Sequence, residues 1–177
     1  WGTSFDDEAV AAAIRASGAV DPGRCRWAVM PGLDERCAYT AGRIAEGAVV
    51  GWFQGRMEWG ARALGNRSIV ADPRRRDMRD IINRKIKFRE RFRPFAPSVI
   101  DEALDDYFVG AVPDPFMQQV YPVRPDKREV IPAVTHVDGS GRLQTVSRGA
   151  NEAYWRLIKA FESRTGVPVL LNTSFNE

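Results

Sequence analysis

The chain has 177 residues, a formal net charge of +3, 44% hydrophobic and 28% charged residues, two cysteines and one histidine. This length and composition are typical of one globular domain, and they exclude a disordered chain, a disulfide-stapled scaffold and a four-ligand structural zinc site. The scarcity of cysteine favours a reducing, cytoplasmic compartment, no apolar run reaches the roughly 18 residues of a transmembrane helix, and the first residues predict no secretory signal.

The sequence predicts helices and strands that are interspersed along the chain. The hydrophobic patterns predict, in order, a helix at 5–17, a strand at 27–30, a helix at 33–46, and strands at 48–53 and 68–71. They continue with a helix at 77–87, a strand at 98–100, a helix at 102–107, a strand at 142–146, a helix at 151–164 and a strand at 167–171. The proline-rich stretch 110–132 predicts loops and short edge strands. This order predicts an α/β or α+β fold with a mixed sheet.

Three local patterns add detail. Thr3 and Ser4 are candidate N-caps of the first helix. The run AVVGWF at 48–53 is typical of a buried strand. Residues 85–95 alternate cations with apolar side chains, which in an extended conformation would place the cations on one face.

Positive charge is concentrated in one stretch. Residues 56–93 contain 13 lysines and arginines against 5 acidic residues, a local net charge of +8, while the remainder carries a net −5. Arginine dominates, with 22 copies against 4 lysines, and its planar fork binds phosphate or carboxylate through two hydrogen bonds. We expect the run 74–76 to stay a solvated surface.

Four segments combine glycines or polar side chains with buried flanks. In 59–68, two glycines permit close backbone approach, and Arg62 and Arg67 could hold an anion. The second is the cationic stretch 85–95, and the third, 135–145, presents Arg142 just after a glycine turn. The fourth, 172–176, follows a predicted buried strand, where ligands of open sheets bind.

The single histidine limits the chemistry. Any Ser–His–Asp or Cys–His mechanism would have to use His136, and a lone histidine is more often a structural hydrogen-bonding group. The sequence has no P-loop, no complete dinucleotide fingerprint and no kinase signature. The residues alone therefore predict an arginine-rich anion site, with phosphate as the expected anion and nucleic acid as the competing ligand.

Five stretches, in order along most of the chain, resemble the NodU/CmcH family of O-carbamoyltransferases. They are GRMEWGARALGNRSI at 55–69, the segments 82–87 and 88–97, THVDG at 135–139, and 165–176. The family usually has proline where this chain has Ala61. The similarity is to the family's C-terminal domain, so the chain is interpreted as one domain, residues 1–177, of a longer protein whose N-terminal Kae1-like domain is absent.

The resemblance implies a YrdC/Sua5-like fold, α+β, with a twisted mixed sheet, flanking helices and a basic concave face. It also implies an activity, in which carbamoyl phosphate and ATP, assisted by Mg²⁺, give carbamoyl-adenylate. The Kae1-like domain would then pass the carbamoyl group to a hydroxyl of a small molecule such as a nodulation factor, an antibiotic or another secondary metabolite.

The family's phosphate-contacting and catalytic positions carry over to Arg62, Lys87 and Arg93. The substrate- and nucleotide-binding set implied by the resemblance comprises Arg62, Lys87, Arg93, Arg142, Asn172, Ser174 and Asn176. The role of Arg89 stays open, because the family's K-x-R spacing can be matched to Arg89 or to Arg93. No protein-only metal site is implied.

The implied partners are carbamoyl phosphate, ATP and the Kae1-like domain, with no membrane, and the sequence leaves a homodimer open. A YrdC-like RNA-binding or tRNA-modification module is the alternative, since the basic stretch would suit RNA. The acidic run at 101–106 and the lack of an RNA-binding motif argue against it.

Overall fold

The computed structural model of the protein describes residues 2–18, 23, 25–90 and 92–175. The helices are α1 (Asp7–Ala16), α2 (Leu33–Ala45), α3 (Met78–Lys85), α4 (Leu104–Tyr107) and α5 (Glu152–Thr165). The strands are β1 (Val50–Phe53), β2 (Arg67–Ala71), β3 (Ala96–Ile100), β4 (Val120–Pro122), β5 (Ser140–Arg142), β6 (Gln144–Val146) and β7 (Val169–Ser174). Short 3₁₀ turns cover Asp101–Ala103 and Pro125–Lys127.

The main sheet has five strands in the order β1-β2-β7-β3-β6. Its first three pairings are antiparallel, and β3 pairs with β6 in parallel, so the sheet is mixed. A separate ribbon pairs β4 with β5. These elements confirm the α+β prediction with a mixed sheet and flanking helices.

The core lies between this sheet and two helices. Helix α5 buries Tyr154, Leu157, Ile158 and Phe161 at helical spacing, and it packs against α2 as well as against β3 and β7. Gly166 ends α5 in the left-handed conformation that glycine favours. Strand β7 lies at the centre of the sheet, which explains its continuous apolar run.

Several predictions of local structure are wrong. Residues 27–30, all described, form no strand. The first helix is capped by Asp6, whose carboxylate accepts a hydrogen bond from the Ala9 amide, rather than by Thr3 or Ser4. Strand β1 is half-exposed, because it is the edge strand of the sheet. The predicted strand at 142–146 is divided at Leu143 into β5 and β6, which belong to different sheets.

The cationic stretch 85–95 is not extended. Helix α3 runs to Lys85, and the chain then turns, with Phe88 at a positive φ of 46°. This turn buries Lys87 and leaves the Phe88 ring exposed, so the cations do not share one face. The alternation therefore arises from a helix end and a turn.

Candidate functional site

A polar cleft of about 90 Å³ lies beside strand β7. Its walls come from five parts of the chain that the fold brings together. They are residues 61–63, Arg89 with residues 94–96, Met117, Arg142, and residues 172–174. All four polar segments singled out in the sequence therefore supply lining residues.

Three guanidinium groups converge on this cleft, from Arg62, Arg89 and Arg142. Burial lowers the pKa of Arg142, and the positive charges of Arg62 and Arg89 lower it further. The Arg142 Nε atom is buried and has no hydrogen-bond partner among the described residues. Among the described residues, no carboxylate lies within 4 Å of any of these three guanidinium groups. Such unbalanced charge is matched best by an anion.

Arg89 is oriented by its neighbours. Its Nε donates a hydrogen bond of 2.8 Å to the Asn83 side-chain oxygen, and its guanidinium lies 4.8 Å from the centre of the Phe95 ring. Burial lowers the pKa of Arg89, and the nearby Arg93 contributes to this shift. The cleft therefore contains the arginine whose role the sequence left open.

Lys87 lies behind this cluster and is only 4% exposed. Its Nζ donates to the backbone carbonyl oxygen of Ser174, and the Ser174 hydroxyl oxygen lies 3.5 Å away. Burial lowers the Lys87 pKa, and the charge of Arg89 contributes. Two predicted site residues from distant parts of the sequence, Lys87 and Ser174, are therefore in direct contact.

The loop that carries Arg62 is fixed by a buried carboxylate. The Oε1 atom of Glu58 accepts hydrogen bonds from the backbone amides of Leu64, Asn66 and Arg67, at 2.8, 2.7 and 3.2 Å. These three bonds close the loop around one charged oxygen. A carboxylate is needed there because a charged acceptor makes stronger bonds to amides than a neutral one.

A buried polar network attaches the same loop to the sheet. The Asn172 Nδ2 atom donates to the carbonyl oxygen of Ala63 at 3.0 Å, and the Gln144 Nε2 atom donates to that of Leu64 at 2.8 Å. Asn172 Nδ2 also lies 2.9 Å from Gln144 Oε1, which accepts a 2.6 Å bond from the Ser98 hydroxyl. The Asn172 Oδ1 atom is buried without a partner in the described structure. Asn172 therefore supports the loop with its nitrogen, while its oxygen has no partner in the described structure.

Two other predicted cations lie outside the cleft. Arg93 is exposed, and its Nε lies 3.0 Å from Glu90 Oε2, so it would have to leave Glu90 to contact a ligand. Arg67 stacks 3.5 Å from the centre of the Phe53 ring, and its nitrogens donate to the backbone oxygens of Gln54, Gly55 and Asn66. Asn176 lies outside the described residues.

The surface run at 74–76 differs from the prediction at one position. Arg74 is partly buried and makes a two-pronged ion pair with the buried carboxylate of Asp72. Arg75 and Arg76 are paired with Asp77 and Glu129 near the surface. These arginines are balanced by carboxylates, unlike those of the cleft.

Sequence reasoning missed three residues of the site. Glu58 and Gln144 accept from and donate to the backbone of the Arg62 loop. Met117 lines the cleft, and its backbone has a positive φ of 55°. The glutamate precedes the glycine-rich run in the sequence, which is a usable signal. Gln144 and Met117 have none, because their positions depend on strand pairing and on the long 108–119 connection.

The described residues contain no group of three or more histidine, cysteine or acidic side chains that could hold a metal ion. In the same part of the chain, no helix has the length and apolarity needed to cross a membrane.

Comparison with known proteins identifies the family of the chain. The family described as Carbamoyltransferase C-terminus matches residues 41–177. The chain is 58% identical over 151 residues to nodulation protein NolNO of Sinorhizobium fredii, an alignment that covers 80% of this chain and 22% of that protein. It is 53% identical over 148 residues to nodulation protein NolO of Bradyrhizobium diazoefficiens, covering 81% and 27%.

A third relative is nodulation protein U of Rhizobium tropici, with 44% identity over 133 residues, 75% of this chain and 23% of that protein. The chain thus spans about a quarter of the length of these curated relatives. The family match covers the Glu58 loop, the three guanidiniums, Lys87 and strand β7. The chain belongs to the carbamoyltransferase C-terminal domain family.

Proposed function

We propose that this domain binds carbamoyl phosphate and ATP and forms carbamoyl-adenylate for O-carbamoylation of a small-molecule hydroxyl. The observation that carries the proposal is the convergence of Arg62, Arg89 and Arg142 on one cleft without a carboxylate partner in the described structure. Lys87 and Ser174 stand beside them.

The charges suit the reaction. Carbamoyl phosphate, ATP and water give carbamoyl-adenylate, pyrophosphate and phosphate, and the two reactants repel each other through their phosphates. Enzymes of this kind act mainly by positioning and charge neutralisation, so arginine and lysine are the required groups and no side-chain nucleophile is needed.

Asn172 would recognise the carbamoyl group. Its free Oδ1 is an acceptor, which repels a phosphate oxygen but accepts a hydrogen bond from an amide N–H. The carbamoyl nitrogen carries such hydrogens, and so does the amino group of adenine. The nitrogen of Asn172 already contacts Ala63, which fixes the orientation of the amide.

Mg²⁺ would enter with the triphosphate. This ion usually keeps water and phosphate oxygens as ligands and takes few from the protein. When bound, Mg²⁺ would neutralise phosphate charge, which supplements the cationic side chains.

The distribution of charge favours a small anion over RNA. In the basic stretch, the side chains of Arg74, Arg75, Arg76 and Arg93 are each paired with a carboxylate. This pairing reduces the unbalanced positive charge of the stretch outside the cleft, whereas RNA binding by phosphate contacts uses many cations along a track.

The test is the pyrophosphate that the chain releases from ATP and Mg²⁺ when carbamoyl phosphate is added. We expect Arg62→Ala to lower this signal by about 100-fold, since it removes a cation from the reacting phosphates. Arg43→Ala is the matched control, because Arg43 pairs with Glu46 on the exposed side of α2. An undiminished carbamoyl-phosphate-dependent signal in Arg62→Ala would show that the assigned cleft is wrong.

Transfer to an acceptor hydroxyl would need the Kae1-like part of a longer chain. We expect the 177-residue chain alone to produce no carbamoylated acceptor. Transfer by the chain alone would contradict this division of labour.

A further inference from the structure

A second polar cleft of about 330 Å³ lies around the THVDG segment and takes no part in the proposed reaction. Helix α3 and the residues before it contribute Arg76 and Arg79, the 3₁₀ turn region contributes Arg128 and Glu129, and residues 135–139 close the cleft. A volume of this size accommodates a small molecule.

Two guanidiniums of this cleft are not balanced by acidic groups. Arg76 is paired with Glu129. Arg79 and Arg128 have no carboxylate within 4 Å in the described structure, and the Arg79 Nε atom is buried there without a hydrogen-bond partner. Arg128 is held in place, since its Nε donates to the Val123 carbonyl oxygen at 3.2 Å. Two guanidiniums match the charge of a phosphate monoester.

Gly139 allows Arg128 to occupy this position. The glycine has a φ of 81°, and a Cβ atom there would lie 2.5 Å from the Arg128 Cζ. Any larger residue would displace the guanidinium. The glycine of the THVDG segment therefore leaves room for the Arg128 guanidinium and suits the positive φ of the turn.

His136 adds a hydrogen-bond acceptor. The Ser140 hydroxyl donates its hydrogen to Asp138 Oδ1 at 2.6 Å. Because that hydrogen is used, the Ser140 oxygen acts as an acceptor toward His136 Nδ1, which lies 3.2 Å away. This pattern favours the tautomer with the hydrogen on Nδ1. Burial lowers the pKa of His136, and Arg142 contributes, while the carboxylate of Asp138 acts in the opposite direction. The imidazole is then neutral at pH 7, and Nε2 has a lone pair for a hydroxyl donor.

We propose that this cleft is a second anion site, which binds a small phosphate monoester bearing a hydroxyl group. Arg79 and Arg128 would bind the phosphate, and the His136 Nε2 atom would accept from the hydroxyl. The two carboxylates at the cleft do not oppose this ligand strongly, since Glu129 is paired with Arg76 and Asp138 Oδ1 accepts from Ser140.

The single histidine of the chain provides a direct probe. The His136 imidazole signals are followed by NMR while glycerol 3-phosphate, or inorganic phosphate, is added at constant ionic strength. We expect saturable shifts with both probes and tighter binding of glycerol 3-phosphate, which also carries hydroxyl groups. Linear or absent shifts in the unmodified chain would overturn the proposal, whatever the stability of any variant.

Calorimetry of glycerol 3-phosphate binding to variants then shows which cleft holds the ligand. We expect Arg79→Gln to weaken glycerol 3-phosphate binding by about 10-fold or more, because a charge-assisted hydrogen bond is lost. Arg43→Gln, on the exposed side of α2, should change it by less than about twofold. His136→Leu should remove the preference for glycerol 3-phosphate over phosphate. Loss of binding in Arg62→Gln with none in Arg79→Gln would place the anion in the first cleft and overturn the second site.

Discussion

The side-chain nitrogen of Asn172 lies 3.0 Å from the carbonyl oxygen of Ala63, the residue next to Arg62. This contact joins the central strand β7 to the loop that carries a cleft arginine. The same nitrogen lies close to Gln144, which holds the next carbonyl of the loop. The position of Arg62 therefore depends on the packing of the sheet, through a network that is almost completely buried.

Asn172→Ala should destabilise the domain and loosen the Arg62 loop. The substitution leaves buried polar atoms of Ala63 and Gln144 without one of their partners, which costs about 1–3 kcal/mol. Urea unfolding measures this change, and Thr173→Ala, at a partly buried neighbouring position, is the control. An unfolding free energy equal to that of the unmodified chain would contradict the role of the network.

Gly65→Ala should be more damaging than Gly60→Ala. Both glycines have a positive φ, 106° and 110°, so both substitutions introduce backbone strain of about 1–3 kcal/mol. At Gly65 a Cβ atom would also lie 2.3 Å from the Tyr154 ring, which is fully buried, whereas at Gly60 it would meet open space. The difference between the two variants in thermal or urea unfolding isolates this collision, and equal destabilisation would contradict it.

Lys87→Ala should remove most of the pyrophosphate formation, and Lys85→Ala should not. Lys87 is buried against Ser174 at the cleft, while Lys85 is exposed at the end of α3. Loss of a cation from a site that stabilises reacting phosphates lowers the rate by about 100-fold or more. Equal rates in the two variants would exclude Lys87 from the reaction, provided that both are folded by circular dichroism.

The free energy of unfolding of the domain should depend on the protonation of His136 in mildly acidic solution. Burial lowers the pKa of this imidazole below its ordinary value, so in that range the unfolded chain binds the proton more readily than the folded one. The free energy of unfolding therefore falls as the pH decreases through about 6.5. Urea unfolding at pH 7.5 and 5 should show a larger loss for the unmodified chain than for His136→Gln. An equal loss in the two chains would contradict a lowered pKa.

Local patterns predict the elements of this fold better than their arrangement. The apolar spacing of α5 and the continuous run of β7 are properties of neighbouring residues. Helix α5 lies within one residue of its predicted bounds, whereas β7 begins at Val169 and continues through Ser174, three residues beyond the predicted strand. The alternation at 85–95 fails because the end of α3 and the positive φ of Phe88 depend on the burial of Lys87 against Ser174, 87 positions away.

For the candidate site too, the sequence predicts individual residues better than their arrangement. Arg62, Arg142, Asn172 and Ser174 can be selected from the sequence, since each stands beside a glycine turn or at a strand rich in polar groups. The convergence of Arg89 with Arg62 and Arg142 follows from strand pairing, which places distant segments side by side. The exposed position of Arg93 likewise follows from the turn after α3 and from its pairing with Glu90.

Whether the three guanidiniums form the anion site is measured by the affinity of the chain for carbamoyl phosphate in Arg142→Met, compared with Arg43→Met. Methionine keeps much of the apolar volume of the arginine side chain and removes its charge. If the three guanidiniums form the anion site, Arg142→Met should weaken binding by about 10- to 100-fold, while Arg43→Met leaves it within about twofold. Equal dissociation constants for Arg142→Met and the unmodified chain would contradict the assignment of the cleft.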